Sequence, residues 1–386
     1  MKKLQDFNFK GKNVLVRCDF NVPLSKEGKI LDDFRIKRSL PTLKYLIKEK
    51  TRVILISHLE TKKGKFSLKH LVSRLEKLLG QKVKFLPNYL KENSRKEIEK
   101  IIKPGQVVLL ENIRFHKEEK ENDVSFAKKI SKLGDIFVNE AFSVCHREHT
   151  SIVAIPNYLP KAAGFLLEKE LNVFSELLKR PKHPFVAIIA GIKIETKIKT
   201  ILNILKIVDH LILGSKIGEA IFAQKGIITG RDFAEVKLME KIDLTNPKIH
   251  LPLDGIIALN NLKEGYLRKG GLRTLRKEEE VFDIGPESIK VFKKIIKPAK
   301  TILWNGPLGM YEDKRFEKGT KEIADTIVRN YSAFKVAGGG ETVSAINTFG
   351  LAGKFDFLST GGGAMLEFLA GEKLPGIEAL NSQITS

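Results

Sequence analysis

Short apolar runs alternate with amphipathic stretches along the whole chain. The runs that predict strands are residues 13–20, 52–58, 82–86, 106–111 and 135–139, followed by a second series at 185–190, 210–213, 249–253, 301–304, 334–337 and 355–359. Of the stretches between them, Ser67 to Gly80 is the clearest helix. Leu68, Leu71, Val72, Leu75, Leu78 and Leu79 share one face, and Gly80 is the stop. Strand–helix alternation implies parallel sheets covered by helices on both faces. The strands are too many for one usual sheet, so the pattern predicts two sheets in two domains. A helical stretch from Leu166 to Lys179 runs into Arg180-Pro181-Lys182-His183-Pro184, where two prolines end it and open the second half. No tandem repeat or low-complexity tract interrupts the pattern.

Two glycine triplets stand out against it. Gly338-Gly339-Gly340 follows the run at 334–337, and Gly361-Gly362-Gly363 follows the run at 355–359; each precedes a helix-like stretch, Glu341 to Ile346 and Ala364 to Leu369. Strand, bare backbone and helix start together aim free N–H groups at an anion, and no Cβ keeps a phosphate away. One such loop is compatible with a tight turn; two close together point to phosphoryl oxygens.

Composition narrows the classes. The chain has 386 residues, 42% of them hydrophobic, enough to fill ordinary cores. No apolar run approaches the roughly 20 residues of a membrane span, and Met1-Lys2-Lys3-Leu4-Gln5-Asp6 lacks the apolar stretch of a signal peptide. Cys18 and Cys145 are the only cysteines, which suits a reducing cytosol and no disulfide framework. The formal charge of +22, from 68 basic and 46 acidic side chains, suits polyanions: nucleotides, sugar phosphates or nucleic acid. It does not choose among them, and a lysine-rich solvated surface accounts for much of it. The lysines lack the aromatic interleaving of a single-strand binding groove.

The candidate chemistry divides between the halves. No Walker A pattern occurs, and no G-x-G-x-x-G follows the first strand, which disfavours P-loop NTPases and dinucleotide-dependent dehydrogenases. The loop after the first strand of the second half, Ala190 to Lys197, carries Gly191 and sets Lys193 and Lys197 four apart, one helix face if the segment is helical. Two cations together call for an anion such as a triphosphate; a solvated basic face is the plain alternative. Trp304-Asn305-Gly306-Pro307-Leu308-Gly309 closes a strand in a shaped loop, and Glu312 beyond it could accept from ribose hydroxyls or simply be a solvated acid. In the first half, Arg35, His58, Arg114 and Arg147 lie at strand ends or in the following loops. In a parallel sheet those ends share one edge, so they should form a basic pocket fit for phosphate or carboxylate rather than isolated surface pairs. Cys145-His146-x-x-His149 lacks the second paired motif that a zinc site needs, and no G-x-S-x-G elbow supports hydrolase chemistry.

Ordered motifs extend through the chain: Arg17-Cys18-Asp19-Phe20-Asn21-Val22-Pro23, Ser57-His58-Leu59, Leu110 to His116, Gly164 to Glu170, Leu251-Pro252-Leu253-Asp254, Asp283-Ile284-Gly285-Pro286, Trp304-Asn305-Gly306-Pro307 and both glycine triplets. Over nearly its full length the chain resembles the phosphoglycerate kinase family. The resemblance implies an α/β fold of two Rossmann-like parallel-sheet domains joined by a hinge helix. Residues 1–167 are expected to bind 3-phosphoglycerate, 168–184 to form the interdomain helix and hinge, 185–379 to bind nucleotide, and 380–386 to return to the first domain. It also implies that Asp19, Asn21, Arg35, His58, Arg114 and Arg147 contact 3-phosphoglycerate, with Arg35 the catalytic arginine. Gly191, Lys193, Lys197 and Gly214 are expected on the nucleotide, Asn305 and Glu312 on its nucleoside, and Gly338, Gly339, Gly340 and Thr342 beside them. Glu341 takes the place of the family's magnesium-linked aspartate, and Gly361, Gly362 and Gly363 would cap the moving phosphoryl group with Lys197 and Arg35.

The activity so implied is reversible, Mg²⁺-dependent phosphoryl transfer between ATP and the carboxylate of 3-phosphoglycerate, giving ADP and 1,3-bisphosphoglycerate. Such an enzyme belongs to glycolysis and gluconeogenesis, and is expected as a cytoplasmic monomer with no membrane and no obligate nucleic-acid partner. Because each substrate has its own domain, the domains would have to close. Several positions depart from the family pattern. Glu60-Thr61-Lys62 stands where Gly-Arg-Pro is usual, so one substrate-binding arginine is missing and an acid is added, with Lys62 or Lys63 as a substitute charge. Asn139-Glu140-Ala141-Phe142-Ser143, Ala190-Gly191-Ile192-Lys193, Gly214-Ser215-Lys216 and Glu341 depart more mildly. These departures define the alternative reading, a catalytically impaired relative that binds nucleotide or a partner protein.

Overall fold

The computed structural model describes residues 1–61, 64–191, 193–224, 226, 240–262 and 265–384. Lys62 and Lys63, named above as a substitute charge, lie outside the described residues, as do the last two residues of the expected C-terminal return. The chain divides into two compact units, Met1–Asn172 with Lys373–Ser386, and Val173–Glu372.

The first unit holds β1 (Asn13–Arg17), β2 (Arg52–Ile56), β3 (Glu60–Thr61), β4 (Gly64–Lys65), β5 (Val83–Leu86), β6 (Val107–Leu110), β7 (Ile136–Asn139) and β8 (Lys161–Ala163). Six of them form one sheet in the order β5-β6-β2-β1-β7-β8, every pairing parallel. β1 is buried along its whole length, as its Val-Leu-Val centre requires of a strand covered on both faces. Its helices are α1 (Phe34–Lys48), α2 (Val72–Leu79), α3 (Ser94–Ile101), α4 (Val124–Ser131) and α5 (Phe165–Lys179), the last crossing into the second unit. Ile36, Leu43 and Leu46 of α1 pack with Val14, Val16, Val53 and Leu55 in the main core. The predicted helix at 67–80 starts as a 3₁₀ turn over Leu68–Leu71, capped by the Ser67 hydroxyl, and becomes α-helical only from Val72; Gly80 ends it in the left-handed region, φ 69°. From β1 the chain lays β2 on one side and β7 on the other, so the crevice of this sheet opens at the carboxyl end of β1.

The second unit holds β9 (Phe185–Ile189), β10 (His210–Leu213), β11 (Ile249–His250), β12 (Asp254–Leu259), β13 (Leu267–Gly271), β14 (Glu279–Ile284), β15 (Thr301–Asn305), β16 (Phe334–Gly338) and β17 (Phe357–Leu358). Its main sheet, β11-β10-β9-β15-β16-β17, is wholly parallel. The helices are α6 (Ile198–Ile204), α7 (Ser215–Gln224), α8 (Pro286–Ile296), α9 (Lys318–Arg329), α10 (Gly340–Thr348) and α11 (Gly363–Leu369). Here the direction of winding reverses between β9 and β15. A second, antiparallel sheet, β13-β12-β14, escapes the apolar pattern. Its strands are half exposed and interrupted by Gly and charge, and the expected strand 249–253 stops at His250, just before Leu251-Pro252. The final helix, α12 (Pro375–Asn381), belongs to the first unit. Gly376 N–H donates to Cys145 O (2.9 Å), and Lys161 Nζ to Ser382 Oγ (2.8 Å). A side chain at Gly376 would lie 2.6 Å from Ile152 Cγ2, so only glycine seats this helix.

Candidate functional site

In the first unit a cationic cluster lies along the carboxyl edge of the sheet. Arg17, the last residue of β1, is fully buried. Its Nε donates to Ser151 Oγ (2.7 Å), its Nη2 to His58 Nδ1 (3.2 Å), and Glu119 lies 4.0 Å away. Glu119 in turn accepts from Ser151 N–H and Oγ–H (2.9 and 2.6 Å), which holds the buried ion pair in a closed network. Because a guanidinium only donates, His58 Nδ1 is an acceptor there and the ring is neutral. Burial, and then Arg17, hold its pKa well below the ordinary histidine value. His149 is in the same position: it accepts from Arg114 Nη2 (3.2 Å), and burial with Arg114 and Arg17 lowers it to about 3. The two imidazoles therefore offer a neutral Nε2–H each, while the charge comes from arginine.

Asp19, just beyond β1, opposes that charge. Its carboxylate accepts from Arg35 Nη1, from Ser143 Oγ–H and from Asn21 N–H, the last at 3.0 Å. Burial alone would raise its pKa; Arg35 and then its other neighbours outweigh burial and pull it to about 2. Asn21 Oδ1 accepts from Glu60 N–H (2.9 Å). Arg114 follows β6 in a 3₁₀ turn capped by Asn112 Oδ1. Its Nη1 pairs with Glu60 Oε2 (2.8 Å), and its Nε is buried with no hydrogen-bond partner among the described residues. Arg147 sits exposed on the loop after β7, close enough to lower the pKa values of Arg114, His146 and His149. Arg35, His58, Arg114 and Arg147 thus meet in one electrostatic neighbourhood, with Asp19 and Asn21 at its floor.

In the second unit the elements meet where the sheet reverses. Gly306, at φ +97° after β15, passes so close to β9's end that a Cβ would lie 1.8 Å from Ala190 O. Gly191 has φ +116°, and a Cβ there would lie 2.6 Å from Lys197 Nζ. Lys197 donates to Ala190 O, and burial lowers its pKa to about 8, with Glu341 partly restoring it. Lys193 and Lys197 do not share a helix face, as their spacing suggests: Lys193 is exposed before the helix, and Lys197 is the N-cap residue of α6. Gly191's positive φ and the following turn delay helix formation past Lys197. Asn305 Nδ2 donates to Gly338 O (2.8 Å), and Gly306 N–H to Thr342 Oγ1 (2.7 Å), fastening the β15 loop to the first triplet. Gly339 is the N-cap of α10 at φ 98°, with Gly340 its first residue. Gly361 N–H is taken by Ser359 Oγ (3.0 Å), Gly362 is the N-cap of α11 and Gly363 its first residue. Met365 of α11 fills the space a Gly338 side chain would need, which brings the two triplets together.

Beside these loops is a pocket of ≈ 210 Å³ lined by Gly191, Pro307, Leu308, Glu312 and Glu341, with Val281 of β14 and Leu272 supplying apolar wall. Gly214 abuts Leu308 there. Glu341, in the first turn of α10, has an exposed side chain at this pocket. An accessible carboxylate beside a phosphate-sized loop fits a magnesium ion carried by a nucleotide, which takes one or two protein carboxylates and completes its shell from phosphate and water. No group of three or more metal-ligating side chains occurs among the described residues.

Comparison with known proteins joins the two units. The family model described as phosphoglycerate kinase matches residues 4–372. The chain belongs to the phosphoglycerate kinase family. A phosphoglycerate kinase of Borrelia garinii subsp. bavariensis is 42% identical over 393 aligned residues, covering 98% of this chain and 99% of its own. That of Finegoldia magna is 40% identical, with 99% of each chain covered. Among solved structures, phosphoglycerate kinase from Coxiella burnetii aligns with a TM-score of 0.82 at 34% identity over 100% of both chains. The enzyme from Pyrococcus horikoshii OT3 aligns at 0.87 and 31%, over 99% of this chain and 98% of that one.

Three features of this phosphoglycerate kinase family member escaped sequence reading. Arg17 is legible only as a strand end, yet it is the buried hub of the cluster. The antiparallel sheet lines the second unit's pocket through Leu272 and Val281. Lys216 at the pocket is held by Glu219 (3.0 Å) and Glu280 (3.2 Å), partners separated from one another by a distance in sequence that no local pattern spans.

Proposed function

We propose that the chain catalyses reversible transfer of the γ-phosphoryl group of ATP to the carboxylate of 3-phosphoglycerate, a phosphotransferase reaction with a carboxyl acceptor. The observation that carries this reading is the first unit's cluster: four arginines and two neutral imidazoles converging on a sheet edge, with a buried guanidinium Nε that has no hydrogen-bond partner among the described residues. That is a receptor for a small polyanion, in a chain of this family. Asp19, Asn21, Arg35, His58, Arg114 and Arg147 bind the acceptor; Gly191, Lys193, Lys197, Gly214, Asn305, Glu312, Gly338, Gly339, Gly340 and Thr342 bind the nucleotide.

A carboxylate is ionised at neutral pH, so its oxygen attacks phosphorus without a general base. The bond to the β–γ bridging oxygen breaks, ADP leaves with that electron pair, and no proton is exchanged. Arg35 and Lys197 neutralise charge on the moving group, and the amides of Gly362 and Gly363 support its oxygens, while Gly361, whose N–H is held by Ser359 Oγ, shapes the turn before them. Lys197 suits this role because it is preplaced and poorly solvated, so a phosphate meets an ammonium that water does not already satisfy. Glu341 would hold magnesium, which when bound neutralises nucleotide phosphate charge. Residues 168–184 serve as the hinge, and the enzyme works as a monomer in the cytoplasm, within glycolysis and gluconeogenesis. In support, no helix among the described residues is long and apolar enough to cross a membrane.

The test is a coupled assay of ATP-dependent 3-phosphoglycerate phosphorylation with and without Mg²⁺. Turnover that requires Mg²⁺ and weakens in Glu341→Gln is expected. ATP binding without turnover would instead favour the non-catalytic alternative.

A further inference from the structure

Glu60 stands in the acceptor pocket with its carboxylate divided between two cations. Oε2 pairs with Arg114 Nη1 at 2.8 Å and Oε1 with Lys120 Nζ at 3.1 Å. The backbone beneath it is fixed. Glu60 N–H donates to Asn21 Oδ1 (2.9 Å), β3 pairs with β4, and Asn112 Nδ2 ties down Leu59 O and Phe66 O on either side of that hairpin (2.8 and 2.7 Å). Only the Glu60 side chain is therefore free to move. Arg114 is about one-tenth exposed, pairs with His149 on its other terminal nitrogen, and has no partner for its Nε donor among the described residues. Lys120 is half exposed and pairs with Glu60. Its charge is also one of those that lower His149.

We propose that Glu60 and Lys120 are a charge-exchange pair that sets the pocket's affinity for its phosphorylated acceptor: Glu60 satisfies Arg114 while the pocket is empty, yields Arg114 to the incoming phosphate, and remains on Lys120, which holds the released carboxylate. This rests on the reading of the first unit as the acceptor site. The bidentate geometry makes the exchange inexpensive, because releasing Arg114 leaves the carboxylate still paired with Lys120. A phosphate dianion offers Arg114 more charge than one carboxylate and can engage the idle Nε at the same time. Glu60 is thus a built-in competitor, and Lys120 moderates it.

The two side chains must then act in opposite directions on one parameter. Glu60→Gln removes the competitor, and the KM for 3-phosphoglycerate is expected to fall roughly two- to tenfold; Lys120→Gln leaves Glu60 wholly on Arg114, and that KM is expected to rise by a similar factor. The KM for ATP stays at the wild-type value in both. Lys91→Gln, the same charge change at an exposed lysine of the same unit, is the control for general electrostatics. Inorganic phosphate, read by its effect on the melting temperature of each variant, repeats the comparison without catalysis, so it separates this proposal from the kinase reading. Stronger phosphate stabilisation in Glu60→Gln and weaker in Lys120→Gln supports the exchange. A Glu60→Gln variant with unchanged or weaker phosphate binding, or a Lys120→Gln shift no larger than that of Lys91→Gln, overturns it. Absent turnover in the wild type, with the phosphate order intact, would sink the kinase reading alone.

Discussion

Replacing Lys197 with Met should make the protein more stable and nearly inactive. The Lys197 side chain is buried, and that burial lowers its pKa from 10.5 to about 8. That difference corresponds to about 3 kcal/mol spent at neutral pH on keeping a desolvated charge. Met keeps the apolar stem and removes the charge, but leaves Ala190 O without its donor, a loss of about 1–2 kcal/mol. The net expectation at pH 7 is a gain of about 1–2 kcal/mol. The sign then reverses with pH. Between pH 8 and 10.5 the unfolded chain still binds the proton that the folded one has released, so the wild type gains stability as pH rises through that window. By the upper end the Met variant is the less stable protein, lacking only the hydrogen bond. Trp304, the sole tryptophan, is buried in β15, so its fluorescence during urea unfolding reports the second unit directly. In the coupled assay kcat should fall about 10²- to 10³-fold, the effect of losing one preorganised donor to the reacting group. A variant less stable than wild type at pH 7, or a stability difference that does not shrink towards pH 10, would refute the reasoning.

Other outcomes can be checked in the same system. Arg35→Ala should lower kcat at least about a hundredfold with the KM for ATP unchanged, as measured by initial rates at saturating acceptor. Asp19, with a folded pKa of about 2 against an ordinary 3.8, contributes stability that is present above pH 4 and lost as pH falls towards 2; melting curves of Asp19→Asn should lack that acid limb. Gly306→Ala combines a positive φ with a Cβ 1.8 Å from Ala190 O, and should cost about 3 kcal/mol or more by urea unfolding.

Much of this was written locally in the sequence. Parallel strands buried on both faces must be continuous apolar runs, and β1, β2, β6, β9, β15 and β16 are such runs, so the two sheets are legible from periodicity. Glycine triplets are legible for a similar reason: bare backbone between a strand and a helix has few other uses. Strand-end arginines could be assigned to one edge because parallel topology puts all carboxyl ends on the same side. The antiparallel sheet was hidden because half-exposed strands such as Leu267–Gly271 carry no apolar signature. Only tertiary structure decided which groups are charged. In sequence His58 reads as part of the basic pocket and His149 as part of a metal-ligand candidate, but each accepts from an arginine brought from another strand, and burial keeps both neutral. Tertiary structure also set the burial of Lys197, the hub position of Arg17, and the clamp of Glu60 on Arg114 and Lys120, residues 54 and 60 positions away. A sequence fixes which side chains sit at strand ends. Their pKa values and partners depend on distances and desolvation across loops that no local pattern encodes.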